Sequence, residues 1–253
     1  MKKIALIGST GFVGSTLSSQ TSFTHFYHST DIEKIDGQSF DLVVTAGAPA
    51  KKWFANQNPE NDENSINSLI AHLSRLKTKK MILISTVDVF RDPIDVDEDT
   101  VPDFSDLHPY GRNRLRLEGF VRESFEDFHI IRLPGLVGRG LRKNIIYDFK
   151  HKNNLQAIDT RNVFQFYPME NLWKDIQKGI HANIPLLHLT SAPVTVSAVA
   201  KKGFNFDYEN FVNQKLISYD FKTKFASLWG KEEPYQYSVE ETLEAVRKFA
   251  KEP

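Results

Sequence analysis

The sequence predicts an α/β fold built as a doubly wound parallel sheet, on three observations. Short apolar runs rich in branched side chains recur at 4–7, 42–44, 81–84 and 128–133, which suits strands buried on both faces. Segments with helical apolar spacing alternate with them, two strand-and-helix cycles before the midpoint and more beyond it. Small, polar or glycine residues close each run: Gly8, the stretch 46–49, Ser85 with Thr86, and Pro134 with Gly135. These four carboxyl ends converge on one crevice, where an open sheet of this kind holds its ligand.

The leading element is the most specific. Ile4, Ala5, Leu6 and Ile7 form a strand, Gly8, Gly11 and Gly14 follow at three-residue spacing, and Phe12, Val13 and Leu17 begin a helix. Strand, glycine turn and helix is the build that seats a pyrophosphate on a helix N-terminus. One glycine permits the tight turn, one lets the backbone approach the phosphates, and one lets helix and strand pack closely. The free N–H groups and positive dipole end of the helix face the anion. A dinucleotide site follows, with a purely structural turn as the plain alternative.

Residues 23–27 read as the second strand, with His28, Ser29 and Thr30 at its end and Asp31 just beyond. An acid at that end binds a free ribose 2′-OH, and its absence leaves room for a 2′-phosphate. A strand stopping at Tyr27 makes Asp31 late and favours NADP slightly. A strand reaching Thr30 lets Asp31 take the ribose. Asp31 as a cap for a short helix over 32–35 is the third reading. Residues 41–46 form the third strand, and Ala46, Gly47, Ala48 and Pro49 make a small-residue turn past which a ribose or adenine can lie.

A polar segment covers 51–64, and a helix over about 61–77 places Ile66, Leu69, Ile70, Leu73 and Leu76 at three- and four-residue spacing. Residues 81–84 make the fourth strand, ending in Ser85 and Thr86. An acidic, proline-containing loop covers 88–106, a helix about 109–125, and a fifth strand 128–133. Beyond these, 144–152, 170–181, 195–202 and 238–251 read as helical, and 163–167 and 186–189 as extended.

Composition sets the outer limits. The chain has 253 residues, 40% hydrophobic and 25% charged, enough for one large α/β domain or a core with a small lobe. Formal net charge is +0, so no global basic field draws in nucleic acid or an anionic membrane. With no cysteine, disulfides, thiolate nucleophiles and cysteine-ligated zinc are excluded, and the eight histidines show no metal-ligand spacing. The apolar stretch behind Lys2 and Lys3 stops at Gly8, too short for a signal peptide, so a cytoplasmic location is the default expectation.

Tyr110 and Arg114 stand four apart at the start of a helix, which puts them on one face, and Thr86 ends the preceding strand. A tyrosine titrating at about 10 is a poor base at neutral pH. A nearby cation lowers its pKa, and a hydroxyl can orient the same oxygen.

These residues resemble the extended short-chain dehydrogenase/reductases, also called the NAD-dependent epimerase/dehydratase family. The likeness lies in the glycine spacing, in Thr86 three residues before Val89-Phe90, in Tyr110-Gly111-Arg112-Asn113-Arg114 against the family's Tyr-Gly-x-Ser-Lys, and in Arg132 through Gly138. Ser65-Ile66-Asn67-Ser68-Leu69 stands against the family's Asn-Val-x-Gly-Thr, so the first Asn is a serine here. The resemblance implies a Rossmann-like cofactor core over 1–140 and a small C-terminal substrate lobe over 141–253, interleaved with returning core elements.

It implies NAD or NADP as cofactor, held by Gly8, Thr10, Gly11, Phe12, Val13 and Gly14, by Ser29 and Asp31, by Ala46, Gly47 and Ala48, and by Ser85 and Pro134. It implies Tyr110 as acid/base, Thr86 as its hydroxyl partner, and Arg114 in the lysine position. Asn67, Asn144, Gln165 and Tyr167 are its weaker substrate candidates. The substrate implied is a nucleotide-linked sugar or similar carbonyl compound, and the assembly implied by the helices near 61–77 and 109–125 is a homodimer. Arg114 is planar and forked where lysine is a point charge. It therefore keeps a rival reading open, a cofactor-binding sensor of the same fold without turnover. The basic loop at Arg139, Arg142 and Lys143 holds a diphosphate or is solvated surface.

Overall fold

A computed structural model describes residues 2–212 and 215–252. The core is a six-stranded sheet of β1 (Ile4–Ile7), β2 (His25–Tyr27), β3 (Leu42–Thr45), β4 (Met81–Thr86), β5 (Phe128–Leu133) and β6 (Leu186–His188). Its spatial order is β6-β5-β4-β3-β1-β2. The β1–β2, β1–β3 and β3–β4 pairs are parallel. This is a Rossmann-like α/β fold. Strand order reverses between β1 and β3, so the crevice opens beside the turns that follow Ile7 and Thr45.

The apolar runs are buried as their composition requires. Ala5, Ile7, Val43, Met81, Leu83 and Ile130 share one core cluster with Ile66, Leu69 and Leu73, and with Leu117 and Val121. Those helical residues lie on α3 (Pro59–Leu73) and α4 (Pro109–Ser124), preceded by α1 (Phe12–Gln20) and α2 (Lys52–Gln57). The expected polar segment at 51–64 is thus largely helical. Pro59 occupies the first turn of α3, where its missing N–H costs nothing, and so starts the helix earlier than its apolar spacing shows. At the other end α3 stops at Leu73, and Lys77–Thr78 pairs with Ser39–Phe40.

The chain divides into two compact units. The first comprises residues 1–91, 101–132 and 173–187, and the second 92–100, 133–172 and 188–253. In the second unit, Gly135–Val137 pairs parallel with Phe166–Pro168, and Ile94–Val96 pairs parallel with Asp220–Phe221. That last pairing draws part of the acidic stretch, which the sequence presents as surface loop, into strand structure. The C-terminal helix Val239–Lys251 begins with a capping box of Ser238 and Glu241.

Candidate functional site

The candidate site within the first unit rises from the carboxyl ends of β1, β3 and β4 and from the first turn of α4. Gly8 has φ +83°, and its N–H donates to the Tyr27 carbonyl at 2.8 Å. A Cβ there would stand 2.5 Å from the Ala46 carbonyl oxygen. A Cβ on Gly14 would fall inside contact distance of the Gly8 carbonyl. The fold itself therefore needs both glycines.

Gly11 differs. A Cβ there comes no closer than 3.4 Å to Gly8, an ordinary contact. Gly11 is the exposed N-cap of α1, and no side chain caps that helix. The amides of Phe12, Val13 and Gly14 belong to the first turn and have no partner within the helix. A bare residue in front of open amides makes a cradle that a dinucleotide pyrophosphate fits. Gly14→Ala is expected to cost about 2 kcal/mol or more of folding stability. Gly11→Ala should cost under about 1 kcal/mol. Urea unfolding of the two variants checks this, and equal losses would contradict the distinction.

Thr10 and Ser29 are exposed, and Ser9 Oγ lies 2.9 Å from His28 Nδ1. The second strand stops at Tyr27. The Asp31 carboxylate accepts the His28 N–H at 2.6 Å and makes no capping bond to the turn it precedes. The strand ends before Asp31, as the first reading has it, and Asp31 stands at the N-cap position of the helix over 32–35, as the third has it, without a side-chain capping bond.

Tyr110 is held by its neighbours from three sides. His108 caps α4, its Nδ1 accepting the Gly111 N–H at 2.9 Å, and Pro109 begins the helix. The Tyr110 N–H donates to Asn56 Oδ1 at 3.1 Å. Gly111 lies so close to the Asp88 carbonyl that a Cβ would clash, so the start of α4 docks on the segment after Thr86. Tyr110 is 8% exposed. Its phenol is pushed up to about 12, first by burial and then by the charges of Asp88 and Asp62. Arg114, and to a smaller degree Thr86, oppose that rise.

Arg114 is the cation beside the phenol. Its guanidinium carbon sits 3.9 Å from the centroid of the Tyr110 ring, over the face. It pairs with the Asp62 carboxylate and donates to the Pro49 carbonyl, and the residue is 3% exposed. Asp62 also accepts from Asn113 Nδ2 at 2.8 Å. The expected cation is present and pulls the phenol down, but burial outweighs it, with Asp88 and Asp62 adding to the rise, and the phenol moves up instead of down. Arg114 Nε is buried without a partner among the described residues. A cavity of about 390 Å³ adjoins this pair, lined by Pro49, Ala50, Lys51, Phe54, Ala55, Asn61, Asp62 and Ser65.

Other predicted residues have other employment. The Ser85 hydroxyl donates to Glu118 Oε1 at 2.6 Å, so its side chain serves the core. Asn67 is exposed and accepts from Arg116 at 2.6 Å. In the second unit, Asn144 caps the helix Ile145–His151 and donates to the Leu136 carbonyl at 2.9 Å. Gln165 is 0% exposed, its amide donating to Thr190, Ser191 and Phe221 and accepting from the Phe221 N–H. Tyr167 is equally buried and packs edge-on against Tyr237. Pro134 is buried and Arg139, Arg142 and Lys143 are exposed in that unit.

Sequence reasoning missed Asp62, Asp88 and Lys52. Asp62 carried a signal, since it lies in phase with Ile66, Leu69 and Leu73 on the buried stripe of α3. Asp88 and Lys52 carried none.

No family model and no curated protein matches the sequence. Solved structures do match over the whole chain. A dTDP-4-dehydrorhamnose reductase from Yersinia enterocolitica aligns with a TM-score of 0.74 at 16% identity, covering 99% of each chain. The Bacillus anthracis enzyme of that name, in complex with NADP, aligns with a TM-score of 0.73 at 15% identity over 98% of each chain. A UDP-glucuronic acid 4-epimerase mutant from Bacillus cereus, in complex with a fluorinated UDP-sugar and NAD, aligns with a TM-score of 0.71 at 16% identity, covering 98% of this chain and 99% of that one. At such identities the likeness establishes the shared fold. Among the described residues no helix is long and apolar enough to cross a membrane.

Proposed function

We propose that the chain is an NAD(P)-dependent enzyme of the extended short-chain dehydrogenase/reductase kind, acting on a nucleotide-linked sugar or similar carbonyl compound. The observation that carries this reading is the placing of Tyr110 at the start of α4 and Thr86 at the end of β4 in the unit that also holds the uncapped glycine cradle of α1. Solved structures of the same fold hold NADP or NAD, and one holds a UDP-sugar. The α1 amides behind Gly11 would hold the pyrophosphate, and the 46–49 turn would flank the adenosine end. The late position of Asp31 favours NADP. A nicotinamide carrier, when bound, supplies or takes the hydride.

The protein supplies the proton. A phenol up at about 12 stays protonated through the neutral range, so Tyr110 donates to a carbonyl oxygen and Thr86 orients it. Carbonyl reduction is therefore the favoured direction. Its rate is expected to be flat from about pH 6 to about pH 9, because the acid form is already full. Oxidation needs the phenolate, and its rate should climb about tenfold per pH unit over that range. Initial rates in both directions on a panel of nucleotide-linked sugars test this, and an oxidative plateau near neutrality would overturn it.

The second reading is a cofactor-binding sensor without turnover, favoured by the commitment of Arg114 to Asp62. Tight NADPH binding with no redox change on any member of the panel would select it. Calorimetry that detects no nicotinamide dinucleotide would remove both.

A further inference from the structure

The arginine in the family's lysine position comes with partners of its own. Arg114 Nη1 donates to Asp62 Oδ2 and, at 3.4 Å, to the Tyr110 carbonyl. Arg114 Nη2 donates to the Pro49 carbonyl. Three pieces of chain therefore grip one guanidinium: the turn after β3, α3 and the first turn of α4. The Arg114 and Asp62 side chains are 3% and 2% exposed, and Asn113 Nδ2 adds a bond to Asp62 Oδ2 at 2.8 Å. A planar, forked group held by charge-assisted bonds on several sides has little freedom left.

That group faces the phenol. Its carbon lies 3.9 Å from the centroid of the Tyr110 ring, over the face. The neighbouring His108 ring is 6.2 Å away and tilted by 46°, a looser contact. The backbone of Tyr110 is fixed on both sides, its N–H by Asn56 and its carbonyl by Arg114. Only the side-chain torsions remain. A plane pressed on the ring face blocks them, because turning the ring drives an edge into it. The hydroxyl stands at the far end of the ring axis, so a ring that cannot swing presents its proton at one place.

We infer that Asp62 is a positioning residue for Tyr110: it locks the Arg114 guanidinium against the phenol ring, and by holding that ring residue 114 serves the site. The role rests on the reading of Tyr110 as the proton donor. It requires a guanidinium. A lysine ammonium has the charge but no plane, and its donors fan out from one nitrogen, so it cannot cover the ring while reaching Asp62 and Pro49 together. The commitment of Arg114 to Asp62 is then a rebuilt part of an active site.

Ring rotation reads the clamp directly and needs neither cofactor nor substrate. In protein grown with tyrosine carrying an NMR-active carbon at both Cε positions, the Tyr110 signals are assigned by their loss in Tyr110→Phe. Slow rotation gives two signals and fast rotation one, and the wild type is expected to show two. Asp62→Asn combined with Arg114→Met removes both charges, so no ion is left unpaired in the interior, and the amide still accepts from Asn113. Rotation in this paired variant should quicken by at least about tenfold. Arg114→Lys should have the same effect with the charge kept, and it carries the test if the paired variant fails to fold. Reductive turnover per folded molecule should fall by about ten- to a hundred-fold in both. A pair that serves only stability would shift the urea midpoint and leave rotation and turnover per folded molecule as in the wild type, and that result would overturn the proposal. So would merged Tyr110 signals in the wild type, or wild-type rotation in Arg114→Lys. A wild type that reduces no member of the sugar panel would count against the reading of Tyr110, whereas rotation alone decides whether the clamp exists.

Discussion

Tyr110→Phe is expected to lower turnover by about a thousand-fold while leaving NADPH affinity within a few-fold. The substitution removes one oxygen and keeps the ring. The contact of that ring with Arg114 survives, as does the Asn56 bond to the Tyr110 N–H, so the start of α4 keeps its place. What is lost is the phenolic proton donor held at the start of α4. Without it the developing alkoxide must take its proton from water, a weaker and unoriented acid. Single-turnover measurement of NADPH oxidation separates this loss from product release. A variant that retains turnover within about tenfold would show that another group is the acid. A large loss of NADPH affinity would show instead that the phenol is a binding element.

Glu118→Ala is expected to cost about 3–5 kcal/mol of folding stability, the largest structural effect of any single substitution near the site. Glu118 is 0% exposed on α4. Its Oε1 accepts from Ser85 at 2.6 Å and from Arg132 Nε at 2.9 Å, and its Oε2 accepts from Arg132 Nη2 at 2.7 Å and from Arg122 at 3.2 Å. Arg132 is itself 1% exposed and lies 5.2 Å from the centroid of the Phe90 ring. Removing the carboxylate leaves a buried guanidinium without its counter-charge and a buried hydroxyl without its acceptor. The desolvation penalty of the survivors, more than the bonds lost, sets the size of the effect. Urea unfolding measures it. The paired change Glu118→Met with Arg132→Met removes both charges together and should recover most of the loss. A single variant that loses under about 1 kcal/mol would mean that water reaches the cluster. Since Ser85 precedes Thr86, the same cluster fixes the end of β4 on which the proposed chemistry depends.

Local pattern determined much of this protein. Branched apolar runs bounded by turns are unstable as anything but buried strands, and β5 spans the same residues in sequence and structure. The glycines at 8 and 14 were legible because close backbone approach excludes a side chain whatever surrounds it. Tyr110 and Arg114 were legible as a pair because four-residue spacing on a helix dictates a shared face. Long-range contact decided the rest. Asp62 and Arg114 each lie on a buried stripe, but only the packing of α3 against α4 brings the opposite charges together, and burial of the phenol beside them outweighs the expected activating cation. The pairing of 94–96 with 220–221, the reach of Lys52 to Asp88 and the burial of Gln165 likewise join residues far apart in sequence. Spacing along a chain fixes which side chains share a face. Which charges cancel depends on the face packed opposite, and that exists only once the chain has folded.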